Sequence, residues 1–141
     1  MTTAAHPPCP LCQARDESVL WRDKNARVVL VEDADFPGFC RVIWNAHVAE
    51  MTDLSAADRH TLMQRVFAVE AALRQTLAPA KINLASLGNQ VPHLHWHVIP
   101  RYREDACFPD AVWAPPRRAG AVRHVQVEAL AATVQAALSA G

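Results

Sequence analysis

His93-Leu94-His95-Trp96-His97-Val98-Ile99 is the stretch from which the rest of the chain can be read. In a β-strand successive side chains point to opposite faces, so residues two apart share one. His93, His95 and His97 therefore fall on one face, and Leu94, Trp96 and Val98 turn the other way, toward a core. Packing does not explain three neighbouring imidazoles, whose ring nitrogens need partners when buried. A single strand histidine is usually structural or simply exposed; three in strict alternation, opposed by three apolar residues, point to chemistry. Two chemistries fit. One is a metal site, although ligand tips two residues apart lie roughly 6–7 Å from each other along a strand and rarely supply all three positions. The other is a group of imidazoles around a phosphate. A neutral imidazole can attack phosphorus without first losing a proton. Its neighbours can donate hydrogen bonds to the non-bridging oxygens and a proton to the leaving group.

Outward from this strand, residues 81–87 read as a second strand, joined to the first by the turn-forming Gly88-Asn89-Gln90-Val91-Pro92. Residues 55–78 predict the long helix. Ser55 and Asp58 resemble an N-terminal capping pair, and Leu62, Val66, Val69, Leu73 and Leu77 recur at steps of three and four to make one apolar stripe. Pro79 marks its end. Three further β-like runs, 19–22, 27–31 and 39–44, precede the helix, the first two separated by the turn Asp23-Lys24-Asn25. A loop rich in proline and tryptophan, 108–116, leads to a final amphipathic helix near 125–138. Hairpin-like neighbouring strands with one long helix make an α+β domain the natural reading: an antiparallel sheet of about five strands, the long helix and a C-terminal helix.

The 141 residues allow one domain with a real core and no comfortable second one. Residues 1–8 read as a loose arm, 9–102 as the core region, and 103–141 as a substrate or dimer loop followed by the last helix. Acidic and basic residues cancel at 14 each. That balance removes the basic excess on which a nucleic-acid polymer or an acidic membrane surface would act, while leaving room for a small phosphorylated ligand. No run reaches the roughly 20 apolar residues of a membrane span, and the first eight residues lack a signal-peptide pattern. The expectation is a soluble cytoplasmic protein, in which four cysteines are thiols or metal ligands rather than a disulfide framework.

Cys9-Pro10-Leu11-Cys12 has the two-residue spacing that lets two thiolates grip one tetrahedral zinc. Redox chemistry is the rival, but no βαβ context surrounds the pair; reduced, partly buried thiols are the plain alternative. Cys40 and Cys107 have no such partner and read as packing residues, and His6, His60 and His124 as isolated, exposed histidines. Asn83 and Asn89 are candidates to face a phosphate or sugar, with a strand-edge hydrogen bond an equal reading for Asn83. Arg101 and Arg103 are candidates to draw in a polyphosphate tail. Trp113 reads either as a base-stacking residue or as a packing or dimer contact.

Residues 93–99 resemble the histidine-triad (HIT) superfamily signature His-φ-His-φ-His-φ-φ, with φ apolar, at all seven positions. Pro100-Arg101-Tyr102 continues as in bacterial members. Pro37-Gly38-Phe39-Cys40-Arg41-Val42-Ile43, with His47-Val48 and Leu54 beyond it, resembles the superfamily's segment before the long helix, and residues 105–113 resemble a bacterial branch of diadenosine tetraphosphate hydrolase-like proteins. The resemblance implies a HIT-like fold, a homodimer, and hydrolysis of a dinucleoside polyphosphate or nucleoside phosphoramidate through a covalent nucleotidyl-histidine. It implies His95 as nucleophile, His97 as the phosphate contact that aids the leaving group, and His93 as support from behind. It also implies that His47 and His93 complete a structural zinc site with Cys9 and Cys12, and that Asp33 binds ribose hydroxyls. No organic cofactor is expected. Two positions depart from the pattern: Phe39 stands where a fourth histidine is common, and Gln90 where a serine or threonine hydroxyl is common. A nucleotide-binding regulatory protein with little turnover is therefore the second reading, and a metal-dependent hydrolase with the triad as ligands the third.

Overall fold

Asp23 makes the first hairpin: its Oδ1 accepts from the backbone N–H groups of Asn25 and Ala26, and its backbone N–H donates to the Ala26 carbonyl. A computed structural model describes residues 8–139, so His6 and nearly all of the expected loose arm lie outside the described residues. The strands are β1 (Ser18–Arg22), β2 (Ala26–Leu30), β3 (Cys40–Trp44), β4 (Lys81–Ala85) and β5 (His95–Arg101); the helices are α1 (Ala56–Leu77) and α2 (Val127–Ser139). The strands form one antiparallel sheet in the order β1-β2-β3-β5-β4. This is the α+β architecture expected of the sequence, with element ends displaced by a residue or two. Among the described residues no helix is long and apolar enough to cross a membrane.

Alternation sorts the two faces of the sheet. Val28, Cys40, Val42, Trp44, Trp96 and Val98 pack toward the helices, where α1 presents Leu62, Val66, Val69 and Leu73 and α2 presents Leu130 and Val134. Helix α1 begins where the Ser55 Oγ accepts from the Asp58 N–H, and it ends at Ala78, whose left-handed backbone (φ 46°) precedes Pro79. The opposite face carries Arg41 and Ile43 on β3, with Phe39 just before it, and His95, His97 and Ile99 on β5. A smaller apolar cluster on that face joins Phe36, Phe39, Ile99, Ala106 and Cys107. Cys40 and Cys107 are buried, as expected of packing thiols, and burial pushes the Cys40 thiol up to about 12.

Gly38 brings the chain into β3 with φ at 88°, in contact with α1. A Cβ there would sit 2.5 Å from Leu77 Cδ1 and 3.1 Å from Pro100 Cγ. Gly38→Ala combines a left-handed backbone with overpacking and is expected to cost about 2–4 kcal/mol. The urea midpoint should fall with the slope unchanged; an unaltered midpoint would show that the α1–β5 seam yields easily.

One expectation for the triad strand is corrected. β5 begins at His95, so the three histidines do not project as one row. Pro92 precedes a bend in which the His93 N–H donates to the Val91 carbonyl and the Leu94 N–H to the Val48 carbonyl. The bend turns the His93 ring out of register with those of His95 and His97.

Candidate functional site

Register builds the site. β3 pairs with β5 so that Arg41 lies opposite His97 and Ile43 opposite His95. The rings of His95 and His97 meet edge-to-face at 4.9 Å between centroids. His97 is boxed by Phe39 and Trp113, each 5.4 Å away and likewise edge-on. Beside the two histidines opens a cleft of about 340 Å³, whose wall includes Arg41, Asn89, Gln90 and Trp113. Trp113 is 53% exposed. It offers the cleft an indole surface against which a planar group can lie.

A hydrogen bond fixes the tautomer of His95 but not that of His97. His95 Nδ1 lies 2.5 Å from the His93 carbonyl, which can only accept, so Nδ1 carries the proton and Nε2 keeps its lone pair. Burial lowers the His95 pKa below the ordinary imidazole value; the carbonyl bond opposes this and the Arg41 charge adds to it. His97 is pushed down to about 4 by burial, with His95 and Arg41 contributing. Its Nδ1 is buried without a hydrogen-bond partner. Phe39 occupies one side of that ring and offers it only an edge, so no polar group there settles the His97 tautomer. The pair is thus neutral near pH 7: one ring has a lone pair directed by its neighbour's bond, the other a nitrogen with no assigned partner.

His93 serves elsewhere. Its Nε2 donates to the Trp44 carbonyl at 2.6 Å, which leaves Nδ1 as the lone-pair nitrogen. Around Nδ1 stand Cys9 Sγ and Cys12 Sγ, each at 3.4 Å, and His47 Nδ1 at 3.3 Å. Cys12 Sγ is also 3.3 Å from His47 Nδ1. The four ligand atoms all lie within 4.8 Å of one another. Zinc–nitrogen and zinc–sulfur bond lengths in a tetrahedron imply about 3.3 Å between nitrogens and about 3.6 Å from nitrogen to sulfur. The set therefore has the spacing and donor chemistry to hold zinc with no open position. The loop that brings the cysteines is itself tied down. Arg27 Nη2 donates to the Leu11 carbonyl, while its Nε and Nη2 grip Glu17 at 2.7 and 3.1 Å.

The remaining expected residues divide. Asn89 and Gln90 are exposed and line the cleft. Asn83 does not line it: on β4 its Oδ1 accepts from Arg101 Nη1 at 2.8 Å. Asp33 also stays outside the cleft wall, its Oδ1 accepting from the Asp35 N–H within its own loop. Arg101 is buried and engaged with Asp105, so it is not free to meet a polyphosphate, whereas Arg103 is exposed. His60 and His124 are exposed, as expected. Sequence reasoning gave no role to two features. Arg41 had only alternation along β3 to mark it, since it shares a face with Phe39 and Ile43. The other is Asp105, whose two oxygens take five N–H groups, from Arg101 Nε and Nη2 and from the backbones of Tyr102, Cys107 and Phe108. Burial would raise the Asp105 carboxyl, but Arg101 and these amides outweigh it and hold the group below its usual range.

Residues 13–104 match the HIT domain. Among solved structures the chain is similar to a histidine triad protein from Bradyrhizobium japonicum, at 26% identity and TM-score 0.71, over 86% of this chain and 90% of that one. A histidine triad protein from Sinorhizobium meliloti 1021 is similar at 25% identity and TM-score 0.70, over 86% and 89%. Another from Marinobacter aquaeolei VT8 is similar at 25% and 0.70, over 89% and 90%. No curated protein matches the chain.

Proposed function

This chain belongs to the HIT domain family, and from that premise we propose that it hydrolyses a nucleotide at the α-phosphate through a covalent intermediate on His95. The observation that carries the proposal is the bond from His95 Nδ1 to the His93 carbonyl, which directs the Nε2 lone pair. In the first step Nε2 attacks phosphorus, an N–P bond forms, and the bond to the leaving group breaks with its electron pair departing on that group. Water then attacks the same phosphorus, the N–P bond breaks with its electron pair returning to Nε2, water's proton passes to solvent, and a nucleoside monophosphate leaves. His97 contacts a non-bridging oxygen and assists departure; Gln90 and Asn89 stand where further hydrogen bonds reach the phosphate or ribose. A diadenosine tetraphosphate or an adenosine phosphoramidate is the substrate class implied by the resemblance. The dimer and the cytoplasmic location rest on family and composition.

We assign Cys9, Cys12, His47 and His93 to a structural zinc. When bound, the metal supplies a cross-link between the N-terminal loop, the end of β3 and the approach to β5. His93 contributes its ring to that cross-link and its carbonyl to His95. The triad-as-ligand reading has less support, because among the described residues the only cluster with metal-ligand geometry includes His93 without His95 or His97.

The experiment is AMP release from both substrates by the purified chain, with acid quench to capture a nucleotidyl-histidine. AMP binding without release would favour the regulatory reading, and Phe39 and Gln90 would then be the positions to exchange. A pH titration tests the cleft itself. An unfolded His97 takes up its proton near 6.5 and the folded one at about 4. Between those values the unfolded chain binds more protons, so acidification from 6.5 toward 4 lowers stability. Histidine proton resonances should show one ring, assigned by His97→Gln, titrating well below 6.5. A His97 that titrates at 6.5 or above would overturn its placement in a dry cleft.

A further inference from the structure

Arg41 is a cation in the wall of the triad cleft, and no carboxylate among the described residues forms an ion pair with it. Its register partner is His97, and its guanidinium lies 5.9 Å from the centre of the Phe39 ring. Its Nε is buried with no hydrogen-bond partner. The carboxylate that acts on it electrostatically is Glu17, already held by two bonds to Arg27. A second cleft that Arg41 also lines includes Asp16, Glu17 and Glu32, none of which forms an ion pair with it. A buried guanidinium N–H left unmatched is costly, and planar donors of this kind suit phosphate oxygens. The histidines on the cleft face add no negative charge. The wall therefore has a cation without an ion-pair partner among the described residues, in register with His97.

We propose that Arg41 recognises a second phosphate of the substrate, the one beyond the bond that breaks, and so selects nucleotides whose leaving group is itself a phosphate. This rests on the nucleotide reading of His95. Chemistry separates the two leaving-group classes. An amine must collect a proton as it departs. A phosphate departs as an anion, taking the electron pair of the broken P–O bond onto oxygen, and needs a cation more than an acid. Arg41 donates to the non-bridging oxygens of that departing group through its terminal nitrogens, the planar fork that a compact ammonium lacks.

Binding of ADP and AMP to a His95→Ala chain, in which turnover does not interfere, tests this directly. With Arg41 present, ADP should bind about 10- to 100-fold more tightly than AMP, and in His95→Ala/Arg41→Ala the two should fall within about 3-fold. Arg41→Gln, which keeps the stem and one donor group, gives the same comparison if the alanine variant does not fold. In the chain with His95 intact, Arg41→Ala should lower the ratio of kcat/KM for diadenosine tetraphosphate over an adenosine phosphoramidate by the same factor. An ADP preference unchanged by Arg41 substitution overturns the inference, even if turnover is normal. A preference that depends on Arg41, in a chain that hydrolyses neither substrate, upholds it while the hydrolytic reading fails.

Discussion

Replacing His95 with alanine is expected to lower AMP release roughly 10,000-fold or more, a loss of about 5 kcal/mol of transition-state stabilisation. The size follows from the surroundings of the ring. His93 faces the cysteine cluster, and the Nδ1 of His97 is buried without a partner, so neither is aimed as His95 Nε2 is. The folded state should survive the change, because His95 lies on the cleft face rather than among the α1 and α2 contacts. Circular dichroism and the urea midpoint distinguish lost chemistry from lost structure. Turnover that persists within about tenfold of the native rate would remove His95 as nucleophile and return the metal-assisted reading to first place.

The double substitution Cys9→Ser/Cys12→Ser has the next largest expected effect. It removes both thiolates from the four-ligand set, and bound zinc, measured by elemental analysis after dialysis, should fall to background. A metal held at about 1,000 times its Kd contributes about 4 kcal/mol, so for a chain of this length Tm should drop by roughly 8–16 °C. AMP release should fall as well, through the backbone. The ring that faces the thiols and the carbonyl that orients His95 belong to one residue, His93. Zinc retained by the double variant would place the metal elsewhere, and an unchanged Tm with no zinc in either protein would leave Cys9 and Cys12 as ordinary reduced thiols.

Much of this molecule is legible in its sequence because the signals are local. The stripe from Leu62 to Leu77, the cap at Ser55, the turn at Asp23 and the alternation around His95 each depend on neighbours within a few residues. The Cys9–Cys12 spacing and the seven-residue triad are of the same kind. What was not legible depends on register between distant segments. Arg41 becomes part of the cleft only because β3 pairs with β5 and sets it opposite His97. Asn83 is withdrawn by Arg101, its neighbour on the adjoining strand, which no reading of residues 81–87 alone reveals. The separation of His93 from the other two histidines comes from the bend after Pro92, where hydrogen bonds to Val91 and Val48 replace strand pairing. Period-two reasoning assumed the strand ran on.

Asp105 gathers the end of β5 and the first residues of the following loop onto one carboxylate. The chain therefore leaves the sheet along a trajectory set before residue 109, and Trp113 is delivered from beyond that knot. Natural variation in the segment after Phe108 can reshape the outer rim of the cleft while the aim of His95, set by the His93 carbonyl, is inherited unchanged. Divergence in ligand choice and constancy of the nucleophile are then separable traits, carried by adjacent stretches of one gene product.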